Sequence, residues 1–153
     1  VAVSPDPDFL LWSLWAAKEA AYKAWARGRL SAPFSPASFA VQFEPGAGTA
    51  RVVKGELSIG VKWTRGPDWV HAVALDDPAG VWSRIERTEG DPSAAVRALA
   101  VRVLAAAGGP SAQVEGRPPR FRSGGADLGA TLSLSHDGPY VAAVLRWTRA
   151  RQP

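Results

Sequence analysis

Three charged side chains are clustered in the stretch from Trp12 to Ala24: Lys18, Glu19 and Lys23. In a helix, residues four apart lie one turn apart on the same face, so Glu19 and Lys23 adjoin, and Lys18 adds a second cation beside them. A carboxylate between two ammonium groups can hold a divalent cation while the lysines hold phosphate oxygens. On an exposed helix the same spacing also makes a plain Glu–Lys pair, which stabilises by a few tenths of a kcal/mol. Both readings stay open on these residues alone.

A second segment runs from Leu132 to Leu145. Leu132 and Leu134 alternate with Ser133 and Ser135, the period of a half-buried strand. Asp137-Gly138-Pro139 is turn chemistry, and Tyr140 to Leu145 is apolar enough for an interior strand. Ser135 and His136 are therefore expected at the end of the first strand of a hairpin, facing a loop. There they could bind an anion, or His136 could merely cap the hairpin.

The two segments together resemble the 4′-phosphopantetheinyl transferase superfamily. Its W-x-x-K-E-A-x-x-K helix is matched by Trp15-Ala16-Ala17-Lys18-Glu19-Ala20-Ala21-Tyr22-Lys23. Its S-L-S-H-D-G strand-turn is matched by Ser133-Leu134-Ser135-His136-Asp137-Gly138. Gly116-Arg117-Pro118 is similar to the family's G-K-P, with Arg for Lys. Phe34-Ser35-Pro36 and Phe39 to Phe43 resemble the segment that follows the helix, and Asp68 to Ala74 resembles a later strand. The resemblance implies an enzyme that moves 4′-phosphopantetheine from coenzyme A to a serine of an acidic acyl or peptidyl carrier protein. It implies Glu19 as ligand of Mg²⁺ and acceptor of the serine proton. It implies Lys23 and Lys18 at the phosphates, Ser135 and His136 at the 3′-phosphate, and Arg117 with Pro118 at the adenine end. A coenzyme A- or carrier-binding module of the same fold, without catalysis, is the second reading.

The family's first metal carboxylate stands in a G-x-D strand ahead of the helix, and no G-x-D precedes Lys18 here. Asp6 and Asp8 suit a helix start, where the dipole favours anions. There is no Met at any position, the first included, so the sequence reads as starting inside a longer frame. The expectation is full transfer activity for an intact gene product and much weaker activity for this chain. The motif order K-E-A before S-H is that of the short holo-acyl-carrier-protein synthase type, whose sites form between neighbouring subunits of a homo-oligomer. The segment from Asp91 through the S-H hairpin resembles instead the first half of the long type, so a permuted long-type chain is the alternative.

The 153 residues suit one domain, with 1–90 and 91–153 as halves of a pseudo-repeat. Cysteine is absent, which excludes disulfides and thiolate chemistry and fits a cytoplasmic protein. No apolar run spans a membrane and no secretory signal opens the chain. The net charge of +4 suits a grip on a polyphosphate and an acidic partner. Seven tryptophans among arginines could stack nucleic-acid bases, but no RNA-binding motif accompanies them. His71, next to an apolar strand, is read as structural.

The expected fold is α+β, with antiparallel sheet packed by two main helices. The first helix runs from Asp8 to Arg27, ends at Gly28, and buries a stripe of Leu11, Trp15, Tyr22 and Trp25. Strands follow at 39–43, 50–54, 57–63, 69–75 and 81–87, the last completing the first half. Pro45 to Gly48 and Asp76 to Gly80 are read as turns. The second helix starts at Asp91 as N-cap with Pro92 in its first turn, and buries Val96, Leu99, Ala100, Val103 and Leu104. Gly116 to Gly129 reads as a loop that is mobile without ligand, and the residues after Trp147 as a frayed basic tail.

Overall fold

The computed structural model describes residues 7–27, 29, 33–44, 48–75 and 79–147. Gly28, the turns at 45–47 and 76–78, and the basic tail from 148 lie outside them. The chain divides into two compact units, Val1–Asp77 and Pro78–Pro153. Among the described residues the fold is α+β, with two α-helices, a 3₁₀ turn at Pro36–Ser38 and antiparallel sheets.

In the first unit, helix α1 (Pro7–Ala26) packs on a sheet of β1 (Ala40–Glu44), β2 (Thr49–Lys54), β3 (Leu57–Arg65) and β4 (Val70–Ala74). These four strands form an antiparallel meander in chain order. Val41 pairs with Val52, Val52 with Ile59 and Val61 with Ala74. Residues opposite one another in antiparallel strands share a face, so this register gathers the β-branched side chains on one side. That side meets Ala17 and Ala21 of α1 in a core with Phe39, Val52, Ile59 and Val61.

The buried stripe of α1 differs from the expected one. Ser13, Ala17 and Ala21 are buried, whereas Leu11 is 61% and Trp15 46% exposed. Small side chains at i, i+4 and i+8 let the helix backbone come close to the sheet, and bulky rings at those positions would hold it off. The rings move to the flanks. Tyr22 and Trp25 are half-buried against the core, with Trp25 edge-on to Phe39 at 6.1 Å. Buried Ser13 satisfies its hydroxyl by donating to the Phe9 carbonyl at 2.7 Å, one turn earlier.

In the second unit, β5 (Val81–Arg87), β10 (Tyr140–Arg146) and β9 (Thr131–Asp137) form a sheet in that order, with β10 central. The strand at 81–87 thus has its predicted bounds but pairs with β10 rather than completing the first sheet. The units consequently divide ahead of β5 and not near Gly90. Helix α2 (Pro92–Ala106) starts as expected. The Asp91 carboxylate accepts from the Ser93 and Ala94 N–H groups at 3.4 and 2.8 Å, and Pro92 opens the helix. Gly108 at φ 75° stops it, and Gly109 N–H donates to the Leu104 carbonyl at 2.9 Å. The five predicted apolar positions of α2 are all buried, against Phe121, Leu132, Val141, Ala143 and Leu145.

The stretch read as a loop holds two of three short strands: β6 (Gln113–Glu115), β7 (Arg120–Ser123) and β8 (Ala126–Asp127). Glycine, proline and arginine content hid an anchor: Phe121 is fully buried in the α2 core. Arg120 pairs with Asp127 at 2.9 Å across this small sheet. Among the described residues no helix is long and apolar enough to cross a membrane.

Candidate functional site

Glu19 follows Ala17 by two positions, and Lys23 follows Ala21 by two. Two residues rotate about 200° around a helix, so both charges point away from the sheet that the alanines contact. Lys23 Nζ lies 2.7 Å from Glu19 Oε1, and the two side chains are 36% and 40% exposed. Lys18 is half-buried beside them. Local helical geometry alone brings Glu19 and Lys23 into contact; Lys18, one position before Glu19, projects about 100° away from it around the helix.

Aromatic rings border the pair. Trp15, one turn ahead of Glu19, meets Phe34 edge-on at 5.5 Å, and Phe34 lies 4.8 Å from Tyr22. Lys54 places its ammonium over both Trp25 and Phe39 at 4.9 and 4.7 Å and donates to Ser38 Oγ at 2.6 Å. These contacts fix the flank of α1 that follows the charges.

His71 on β4 belongs to the same surroundings. Burial first, and the Lys23 ammonium second, hold its imidazole below the ordinary value. Strand-to-helix proximity of this kind leaves no signal in the sequence, which had marked His71 only as structural. The lowered value has a consequence for stability. Below about pH 6.5 the unfolded chain takes up a proton that the folded chain refuses, so stability falls with acidification and is level above that pH. We expect the thermal midpoint to drop between pH 7 and pH 5 by less in His71→Gln than in the parent. Equal drops in both would show that this imidazole is not a source of the loss.

In the second unit Ser135 pairs with Ala142 and His136 with Val141, on β9. Successive strand residues leave opposite faces of a sheet. His136 therefore shares the face of Leu132 and Leu134, and Ser135 shares the other with Ser133. His136 is exposed near the strand end and Ser135 is half-buried. Because β9 is an edge strand, a group that touches both has to sit on its open edge. Arg117 and Pro118 occupy the turn between β6 and β7, both exposed, after Gly116 at φ 79°. Glu19, Lys18 and Lys23 thus belong to the first unit, and Arg117, Pro118, Ser135 and His136 to the second.

Among the described residues Glu19 is the one carboxylate at this site, so a Mg²⁺ there would take its other ligands from water and phosphate oxygens. The described residues contain no group of three or more His, Asp or Glu that could hold a metal ion. Glu19 is a single carboxylate, and Lys23 engages one of its oxygens. Asp8 stands three turns earlier on α1, roughly 16 Å away along its axis, and Asp6 is outside the described residues.

Residues 2–74 match the sequence model of the 4′-phosphopantetheinyl transferase superfamily. The match takes in α1 and β1–β4, and thus the K-E-A helix, and ends before β5. The S-L-S-H-D-G hairpin and Gly116-Arg117-Pro118 lie beyond it. No curated protein and no solved structure matches the chain.

Proposed function

We propose that this chain, whose residues 2–74 match the model of the 4′-phosphopantetheinyl transferase superfamily, transfers 4′-phosphopantetheine from coenzyme A to a carrier-protein serine. The observation that carries the reading is the Glu19–Lys23 pair, in contact, half-exposed and aimed away from the core. In the transfer, the serine Oγ forms a bond to the β-phosphorus of coenzyme A as the bond to the bridging oxygen breaks. The proton leaves the serine, and 3′,5′-ADP departs. In this reading Glu19 receives that proton, a role suited to a carboxylate with solvent access. Lys23 faces the charge that gathers on the pyrophosphate, and Lys18 adds attraction for the same oxygens. Transfers of this kind depend on positioning and charge neutralisation more than on covalent chemistry. Ser135, His136 and Arg117, with Pro118, serve the nucleotide end.

The acidic carrier matches the excess of basic residues in this chain. A non-catalytic module that binds coenzyme A or a carrier is the second reading, and the lone carboxylate favours it. One experiment separates the two: an apo-carrier protein and a fluorescent coenzyme A analogue are incubated with the chain, and the carrier is examined for covalent label. Label supports transfer; heat on titration with coenzyme A or with the carrier but no label supports the module; no label and no heat with either overturns both.

His136→Ala tests the nucleotide end. A hydrogen bond to a charged group contributes roughly 1.5–3 kcal/mol, so the variant should bind coenzyme A about ten- to hundredfold more weakly. With His136 exposed, the fold should be indifferent. Labelling at saturating coenzyme A should persist. Unchanged affinity by titration calorimetry would remove His136 from the site.

A further inference from the structure

Glu19 has an aromatic wall along one side. Its surface neighbours on α1 include Trp15, four positions earlier, Tyr22, three later, and Lys23, four later. Lys23 is engaged with the carboxylate. Trp15 and Tyr22 are engaged by Phe34, whose ring lies 5.5 Å from Trp15, edge-on, and 4.8 Å from Tyr22. Trp15 and Tyr22 stand roughly 10.5 Å apart along the helix axis, and the two ring separations together match that span. Phe34 thus stands between them, level with Glu19. It does not come from the helix. It belongs to the segment that leads back to the sheet, between Pro33 and Pro36, whose rings fix φ. The Ser38 and Phe39 N–H groups donate to the Ser35 and Pro36 carbonyls at 3.0 and 3.2 Å, and Phe39 is buried in the core under α1. A constrained turn anchored in the core therefore carries the ring, and a wall so held needs no ordering when a ligand arrives. Its apolar surface is only partly covered: Phe34 is half-buried and Trp15 is 46% exposed.

We propose that this wall receives the pantoyl part of coenzyme A, with Phe34 as a specificity-determining residue. With coenzyme A as the ligand proposed for the Glu19–Lys23 pair, the chemistry of that ligand selects the occupant. Its β-phosphate carries the pantetheine arm through an O–CH₂ link to a quaternary carbon with two methyl groups. Those methyls are the first apolar surface beyond the reacting phosphorus. An in-line displacement sets the serine and the leaving oxygen at opposite ends, so the arm leaves the phosphorus to one side. On the Lys23 side of Glu19 the methyls would meet an ammonium, and on the Trp15 side they meet rings. Covering methyl groups with aromatic surface is favourable, and a nucleotide without the arm gains nothing from it. The wall thus distinguishes coenzyme A from its own nucleotide product, 3′,5′-ADP, beside the reacting bond.

Titration calorimetry of the whole chain with coenzyme A and with 3′,5′-ADP tests the assignment. Phe34→Ala should weaken coenzyme A about three- to fivefold, the scale of half-burying two methyl groups, and leave 3′,5′-ADP unchanged. Phe34→Leu keeps an apolar side chain at the wall and should bind coenzyme A within about twofold of the parent. Equal weakening of both ligands by Phe34→Ala would show the ring acting through the fold and overturns the proposal. So does an affinity of Phe34→Ala for coenzyme A equal to the parent's. In both cases coenzyme A remains the ligand of the Glu19–Lys23 pair, and only the wall is lost. A parent chain that does not bind coenzyme A overturns the wall and that ligand together. Carrier labelling plays no part in these readouts, so they hold for a transferase and for a binding module alike.

Discussion

Glu19→Gln should abolish carrier labelling in any form of this protein that transfers phosphopantetheine, with a loss on the order of 10²–10³-fold or more in rate, the scale of removing one preorganised electrostatic group. Glutamine keeps the length of the side chain and one carbonyl oxygen beside Lys23. It loses the negative charge and the capacity to take a proton. The fold should not register the change, since an i,i+4 pair contributes only a few tenths of a kcal/mol and this one is over a third exposed at both ends. Thermal unfolding should therefore show the parent's midpoint while labelling disappears. A variant that labels within about threefold of the parent would dismiss Glu19 as the proton acceptor. The pair would then be a solvated ion pair on a helix.

Phe121→Ala should cost about 3–5 kcal/mol, the range for truncating a buried ring, against the 5–15 kcal/mol that typically holds a domain together. Phe121 has no exposed surface and packs with Leu104, Leu132 and Val141 in the α2 core, although it comes from a three-stranded sheet with little other apolar content. Its carbonyl also accepts from Leu128 N–H at 3.0 Å. Removing the ring leaves a void under α2 and frees the small sheet that carries the Arg117 turn. Urea denaturation followed by tryptophan fluorescence and far-ultraviolet circular dichroism measures the cost. A loss below about 1 kcal/mol would mean that the core closes over the gap and that the small sheet is held by other contacts.

Much of the architecture could be read directly. Asp91-Pro92 and Gly108 mark the ends of α2 through cap chemistry, and its five buried positions follow from a helical period that no competing pattern obscures. The final hairpin followed from alternation and a turn signal, and its register places Tyr140 opposite Asp137. The Glu19–Lys23 pair was legible because four-residue spacing in a helix is local. Three features were not. The stripe of α1 was assigned by hydrophobicity, but a helix lying close on a sheet selects small side chains, so Ala17 and Ala21 displaced Leu11 and Trp15. The strand at 81–87 was found, but its partner, β10, is more than fifty residues away in sequence, and pairing at that distance leaves no periodic trace. Phe121 stood alone among glycine, proline and arginine, and one ring is enough to pin a short sheet. The proximity of His71 to Lys23 belongs to the same class, since it exists only once β4 lies under α1.

The alanines of α1 act on the chemistry by being small. With Ser13, Ala17 and Ala21 seated on the sheet, the helix has one rotational setting, and its distance from the strands is set by methyl groups. Glu19 and Lys23 inherit their direction from that seating. A larger residue at position 17 or 21 would tilt or lift the helix as a rigid rod and re-aim every side chain on its outer face at once. The sheet beneath α1 thus works as an indexing surface: it seats Ser13, Ala17 and Ala21, and through them it determines where the reactive groups on the other side of the helix point.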